Sequence, residues 1–369
     1  MKNVLIVITV PFSVNGIVVA TRELIEHLDQ DKFKVFVVRV GGDDKKVEQS
    51  FTSLGAKIIH LPMRNTNPIK YYRELKRVIR EYNIDVVHAM GNSATLAVEM
   101  AAAKAEKVSL RIAHSRNTSC NHKVIDRLLR PSLYKNCNCR LSCGTDAGIW
   151  LFGKRPFIVF KNGKTFEKYA FSAHHRIRYR EQLGCEDKTF LIGHSGVFNE
   201  QKNHSFIVDI AKILADRGFD FKMIFLGDGK TRRAVEDKVN ALGLSDKFVF
   251  CGNVDNSNEI NSAFDLAILP SKFEGLPNVA TEWQINGLPC LISDKVTPEC
   301  RINPNVEFLP VDDAARWANE IEFLKLTRLT DENAIRKNLV ESGFDIVENA
   351  ERLSKIYMGG VCDQSGEVK

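Results

Sequence analysis

The chain has 369 residues, 44% hydrophobic and 27% charged, which excludes a fibrous or low-complexity chain and suits two globular domains of ordinary size. No apolar run reaches the roughly 18 residues that a spanning helix needs. Its net charge of +6 hides an asymmetry: residues 1–180 hold 31 Lys and Arg against 15 Asp and Glu, net +16, and residues 181–369 hold 21 against 31, net −10.

Residues 4–10 read as a first strand rather than a signal peptide, because residues 11–15 lack a small-residue cleavage pattern. A loop to Gly16 and a helix over 18–28 follow. Strands are expected over 35–40, 57–61 and 85–88, with helices over 69–82 and 93–105. The first of these helices is amphipathic, with Lys70, Arg73, Lys76, Arg77 and Arg80 on its basic face. Residues 110–118 form a strand and exit loop carrying His114, and His88 marks a similar strand end. A strand over 139–143, a helix over 145–152 and the stretch 157–160 lead to Lys161-Asn162-Gly163. This alternation predicts a parallel, doubly wound sheet. Residues 164–188, rich in charge and aromatics, read as the connector.

The second half opens with a strand, a glycine turn and a helix start over 190–204. Strands over 221–226 and 248–252 follow. Gly227-Asp228-Gly229 lacks the Lys-Ser/Thr of a P-loop, so ATP binding is not read there. A short helix is expected over 260–264, a helical region over 314–358 and a disordered tail over 359–369. Nine cysteines form no regular framework, and Cys137, Cys139 and Cys143 lack zinc spacing, so buried thiols in a reducing cytoplasm are expected.

The most informative stretch runs from residue 266 to 294. Leu266-Ala-Ile-Leu reads as a buried strand stopped by Pro270-Ser271, and Phe273-Glu274-Gly275-Leu276-Pro277 as a loop. A helix over 278–286 begins at Asn278 as N-cap and ends at Gly287-Leu288-Pro289, before a strand over 290–293. Glu274 and Glu282 can then face one cleft above the strand's C-terminal edge, where open α/β sheets bind ligands. The helix N-terminus at Val279-Ala280 offers N–H groups and a positive dipole to a phosphate. Two glutamates falling eight apart by chance is the competing reading.

Phe273-Glu274-Gly275-Leu276-Pro277 with Glu282, then Gly287-Leu288-Pro289, resembles the Glu–seven–Glu signature of retaining family 4 glycosyltransferases. The resemblance covers nearly the whole chain, is densest over residues 144–294, and points to bacterial members that build capsule, exopolysaccharide or O-antigen. It implies an α/β GT-B fold: two Rossmann-like doubly wound domains facing each other across a cleft. Residues 1–165 would form the acceptor-side domain and 185–344 the nucleotide-sugar-binding domain, with a helix at about 345–358 packing back on the first. It also implies roles for single residues. Gly16, beside Asn15, stands where the family's glycine pair approaches donor phosphates and acceptor. His114 matches a histidine lining the cleft near the reacting sugar, and Arg116 replaces a second histidine common two residues later. Lys202, on the loop after Gly196, matches a lysine on the donor pyrophosphate, whereas Val197 replaces the family arginine. Val254 lies in the segment that meets the donor base through main-chain groups. Gly275, Leu276, Asn278 and Val279 surround the phosphate seat, Glu282 would bind the ribose, and Glu274 would hold hydroxyls of the transferred sugar.

The expected function is transfer of a hexosyl or acetylhexosaminyl group from a nucleotide-sugar donor to a glycan or lipid-linked acceptor, with retention. No metal or other cofactor is expected. A catalytically weakened glycan- or partner-binding member and a nucleotide-sugar 2-epimerase remain alternatives. The basic first half carries no nucleic-acid recognition motif, so an anionic membrane surface is the expected further partner, peripheral on the inner face of the plasma membrane, with a plain solvated surface as the alternative.

Overall fold

Strand-forming runs alternate with helices along the chain, and in the computed structural model they build two units. Residues 1–13, 15–41, 44–186 and 188–359 are described; the tail over 360–369 lies outside them. The first unit comprises residues 1–164 with the chain from Gly343 onward, and the second Thr165–Ser342.

In the first unit the strands are β1 (Lys2–Ile8), β2 (Phe33–Val40), β3 (Lys57–Leu61), β4 (Val86–Gly91), β5 (Leu110–Ser115), β6 (Cys139–Ser142) and β7 (Ile158–Val159). They form one parallel sheet in the order β3-β2-β1-β4-β5-β6-β7. The helices are α1 (Gly16–Glu26), α2 (Lys45–Thr52), α3 (Pro68–Glu81), α4 (Ala97–Ala105), α5 (Lys123–Asn136) and α6 (Thr145–Phe152). Side chains alternate across a strand, so β1 feeds two cores. Val4, Ile6 and Ile8 pack on one face, and Leu5 and Val7 on the other with Tyr71, Leu75 and Met100.

The second unit contains α7 (Phe166–Tyr169), α8 (Ala173–Gln182), α9 (His204–Asp216), α10 (Arg232–Ala241), α11 (Ser257–Ile260), α12 (Asn278–Ile285), α13 (Ala314–Glu322) and α14 (Glu332–Glu341). Its strands are β8 (Phe190–Ser195), β9 (Phe221–Leu226), β10 (Phe248–Gly252), β11 (Leu266–Leu269), β12 (Cys290–Ser293) and β13 (Val306–Leu309), ordered β10-β9-β8-β11-β12-β13. The last helix, α15 (Ile346–Met358), returns to the first unit and buries Ile346, Ala350, Leu353, Ile356 and Tyr357 in its core.

Both sheets reverse strand order once, between β1 and β4 and between β8 and β11. A doubly wound sheet opens a crevice at such a point, beyond the C-terminal strand ends.

Several elements differ from expectation. Within residues 164–188, expected as the connector, α8 is tied into the second unit by Arg176 and Arg180, 2.6 and 3.1 Å from the two oxygens of Asp265. The helical region over 314–358 is three helices. The helix at 278 is capped by Pro277 and not by the Asn278 side chain. Elements α2, α5, α10 and β13 fall where no element was assigned. Among the described residues no helix is long and apolar enough to cross a membrane.

Candidate functional site

The second unit's switch point is filled by the loops that leave β8 and β11. Lys202 lies on the first loop and Glu274 on the second, and their Nζ and Oε1 atoms are 2.7 Å apart. Ser271 donates to the same carboxylate oxygen at 2.8 Å, and the Gln201 side-chain amide donates to Oε2 at 3.0 Å. The Lys272 backbone N–H donates to the Gln201 carbonyl at 2.8 Å, which ties the loops along their backbones as well. Side-chain exposures of 14% for Lys202 and 9% for Glu274 place the pair at the mouth of the sheet edge, partly out of water. A carboxylate that accepts three donors is held in one rotamer, a preorganised acceptor at the sheet edge.

Gly196 makes this possible. A Cβ there would lie 3.1 to 3.3 Å from Cε, Cδ and Cγ of Lys202, so the lysine stem runs across the glycine. Gly227 stands behind, with φ of +136°, where a Cβ would lie 2.1 Å from the Gly196 carbonyl oxygen. Gly227-Asp228-Gly229 is therefore the backing of the Lys202 loop, consistent with the absence of a P-loop.

Glu282 is set by α12. This helix buries Trp283 and Ile285 completely and is clamped at its C-terminal end. Gln284 donates to the Ala280 and Cys300 carbonyls at 2.9 and 2.8 Å and accepts from the Ile302 and Asn303 backbone. Arg328 donates to the Asn286 carbonyl at 2.7 Å. Gly287 closes the helix at φ +73°, where a Cβ would strike the Leu329 carbonyl at 2.1 Å. Glu282 is partly exposed on this rigid helix. Gly275 and Leu276 are buried in the loop before it, while Asn278 and Val279 are partly exposed in its first turn. The first turn has no side-chain cap. Val254 stands apart, on the loop after the edge strand β10. Val197 is 53% exposed beside the Lys202 loop.

Two buried histidines underlie this loop. His204 opens α9 and stacks on Phe198 at 3.8 Å, with His194 edge-on at 4.6 Å. His194 gives one ring nitrogen to the Ile268 carbonyl at 2.8 Å. Its Nε2 and both ring nitrogens of His204 are buried without a hydrogen-bond partner among the described residues. Burial pushes their pKa values down to about 3 for His194 and about 2 for His204, so both are neutral. Sequence inspection singled out neither, although His194-Ser195-Gly196 ends a strand.

In the first unit Gly16 begins α1, and the Asn15 side chain accepts from the Ile17 and Val18 amides, each at 3.1 Å. That cap engages two of the amides a phosphate would use at this end. His114, expected to line the cleft, is fully buried in β5. Its Nδ1 lies 3.0 Å from His88 Nε2, and its Nε2 lies 3.3 Å from an Arg116 guanidinium nitrogen. His88 Nδ1 lies 2.8 Å from the Tyr357 hydroxyl on α15. Burial lowers the pKa of both histidines, to about 3 for His88 and well below the usual range for His114. His114 sits inside β5, whereas Arg116 follows the strand end at Ser115 and lines a crevice beside α1. Among the described residues no group of three or more His, Cys, Asp and Glu is placed to hold a metal.

Two doubly wound parallel units, with a Lys–Glu pair and a second glutamate at one switch point, define a GT-B glycosyltransferase. The model for glycosyl transferases group 1 matches residues 175–341, and that for glycosyltransferase family 4 matches residues 14–143. The chain belongs to family 4 of the glycosyltransferases. It is 28% identical to EpsF of Bacillus subtilis (strain 168) over 90% of this chain and 91% of that protein. It is 24% identical to the UDP-Gal:alpha-D-GlcNAc-diphosphoundecaprenol alpha-1,3-galactosyltransferase of Escherichia coli, over 62% of each. Among solved structures, Anabaena Alr3699/HepE in complex with UDP-glucose superposes with a TM-score of 0.80 at 15% identity, over 97% of this chain and 100% of that one.

Proposed function

We propose that this glycosyltransferase moves a hexosyl or acetylhexosaminyl group from a nucleotide-sugar to a glycan or lipid-linked acceptor, with retention, in bacterial surface polysaccharide synthesis. The observation that carries this reading is the Glu274 carboxylate locked by Lys202, Gln201 and Ser271 at the switch point, with Glu282 on the helix that follows. Lys202 and the uncapped first turn of α12 meet the charge of the leaving diphosphate, so the reading assigns that task to no metal. Glu282 accepts the ribose hydroxyls, and Glu274 orients the transferred sugar. Retention follows if the leaving phosphate oxygen takes the acceptor proton on the face it departs from. Relatives supply the context: one is named for UDP-galactose and a diphosphoundecaprenol-linked acceptor, and one neighbour holds UDP-glucose.

The test joins binding to turnover. With an acceptor extract, the protein should release nucleoside diphosphate from one nucleotide-sugar of a panel. Glu282→Ala should weaken nucleoside diphosphate binding about tenfold or more, since a hydrogen bond to a charged group contributes roughly 1.5–3 kcal/mol. Calorimetry that finds the affinity unchanged removes the ribose assignment, and a full panel without release removes the activity.

The proposal includes peripheral association with an anionic bilayer, and the surface that favours it is not the one expected from the sequence. On α3, Arg77 pairs with Glu74 and Glu81 at 2.9 and 2.8 Å, and Lys76 and Arg80 with Glu106 at 3.0 and 3.2 Å. Five basic residues against three carboxylates leave that face at only +2. Helix α5 instead exposes Val124 and Leu128 at 73% each and Ile125 at 49%, on one face by i, i+3 and i+4 spacing. Lys123, Arg127 and Arg130 border that face, and Arg130 is paired with Asp126 at 2.8 Å. An apolar face beside basic side chains is the pattern of interfacial helices. The protein should sediment with phosphatidylglycerol vesicles at low salt and release at high salt. Replacing Val124, Ile125 and Leu128 by Ser should cut retention severalfold, more than replacing the five α3 residues by Gln. Unchanged sedimentation of the α5 variant would refute this surface.

A further inference from the structure

The backbone at the root of the Lys202 loop adopts a conformation that its residue type disfavours. Among the described residues, three other than glycine have positive φ: Asn83, Lys107 and Asn203. Asn83 and Lys107 lie just past the C-terminal ends of α3 and α4, where a left-handed residue is an ordinary way to close a helix. Asn203 instead precedes the first residue of α9, at φ +58° and ψ +41°. That position is normally extended, with the side-chain oxygen accepting from the first amides of the helix, as Asn15 does for α1 from Ile17 and Val18. Asn203 makes no such capping bond, and its side-chain amide donates to the Pro270 carbonyl at 3.3 Å. A disfavoured backbone and an unused cap both cost free energy, so the surrounding contacts must hold residue 203 in place.

Those contacts join the two loops of the site. Three consecutive residues of the first loop reach the second. The Gln201 carbonyl accepts from the Lys272 N–H at 2.8 Å, Lys202 Nζ lies 2.7 Å from Glu274 Oε1, and Asn203 bonds Pro270. Pro270 immediately follows β11, so Asn203 fastens the loops at their roots while Lys202 and Glu274 fasten them at their tips. Consecutive side chains diverge by about 100° in a helix and about 180° in a strand, so neither regular geometry turns residues 202 and 203 to one neighbour. The left-handed turn does. It is braced on both sides: the Lys202 N–H donates to the Asn199 side-chain oxygen at 3.0 Å, and the His204 ring stacks on Phe198 at 3.8 Å. Phe198 is fixed in turn by its N–H, which donates to the Asp228 carbonyl at 3.0 Å. Right-handed backbone at residue 203 would run α9 on by one residue and carry the Lys202 stem away from Gly196, which it now crosses.

We propose that Asn203 is a positioning residue, whose left-handed backbone aims the Lys202 ammonium at the diphosphate of the donor. It acts through Lys202 and not by contact with substrate. This rests on the transferase reading above, in which Lys202 meets the leaving diphosphate, and adds the residue that sets the direction of the lysine.

The test uses the full chain with the tightest-binding of UDP, GDP, ADP and dTDP and with the matching nucleoside. Glycine adopts left-handed backbone readily, whereas alanine does not. Asn203→Ala should weaken the nucleoside diphosphate at least tenfold by calorimetry and leave the nucleoside, followed by ligand-observed NMR, within twofold. Asn203→Gly should keep both within threefold of wild type. Should Asn203→Ala fail to fold, Asn203→Ser must show the same selective loss. Wild-type diphosphate affinity in Asn203→Ala overturns the proposal. So does an equal loss for nucleoside and diphosphate, which marks a general disturbance of the unit. A loss in Asn203→Gly as large as in Asn203→Ala also overturns it, because the effect then belongs to the side-chain bond and not to the backbone. Failure of wild type to bind any of the four diphosphates more tightly than its nucleoside would instead overturn the reading of Lys202 as the diphosphate's partner.

Discussion

Glu274→Ala is expected to lower the transfer rate by about 10²- to 10³-fold, the range seen when a single preorganised group is removed from an active site. The substitution deletes the common acceptor of Lys202, Ser271 and Gln201. In the proposed reaction the sugar then loses its orienting carboxylate, and in the structure Lys202 loses the partner that holds it at 2.7 Å across the Gly196 turn. The pair is not fully buried, so the stability cost is discounted from that of a buried ion pair to about 1–2 kcal/mol. Glu274→Gln keeps the shape and loses the charge, and should retain more stability than activity. A double-mutant cycle with Lys202→Ala should be strongly non-additive, because each single change already breaks the shared network. Initial rates with a nucleotide-sugar, measured beside thermal unfolding, decide the matter. A Glu274→Ala enzyme with near wild-type rate would remove Glu274 from the reaction.

Acidification is expected to destabilise the second unit through His194 and His204. Burial holds their folded pKa values at about 3 and about 2, against about 6.5 for an unfolded histidine. The unfolded chain therefore binds protons that the folded one refuses, so stability is fully present above pH 6.5 and declines as pH falls towards the folded values. The slope is about 1.4 kcal/mol per pH unit for each histidine. At pH 5.5 the two together cost roughly 3 kcal/mol relative to pH 7.5. His204→Phe preserves the stack on Phe198 and cannot titrate, so it should remove about half of this dependence. Urea midpoints at the two pH values, for wild type and variant, measure it. An identical pH slope in both would show that His204 is not protonated on unfolding.

These two predictions differ in how far the sequence alone reaches. Glu274, Glu282 and the strand–loop–helix carrying them were legible because Pro270, Gly275, Pro277, Gly287 and Pro289 punctuate that stretch and the apolar runs between them are short. Strands β3, β9, β10, β11 and β12 and helix α6 have the bounds expected from such punctuation. Helix α5 was not legible: it exposes apolar residues and carries Pro131 inside it, so neither the amphipathic period nor the breaker rule marks it. The α3 basic face was legible as charge, but its neutralisation by Glu106 depends on a residue 26 to 30 positions away, beyond any local pattern.

Local composition thus determined the class of the chain: two doubly wound units, a charge asymmetry, and a glutamate pair on one strand–helix turn. Periodicity and breakers act over a few residues, and those features need no more. The tertiary structure decided which side chains meet. It brought Lys202 to Glu274 across 72 positions, buried His114 against His88 and left Arg116 to face the crevice. Such pairings depend on strand order and register, where a shift of one residue turns a side chain from the core to the opposite face, and no local pattern in the chain encodes that long-range choice.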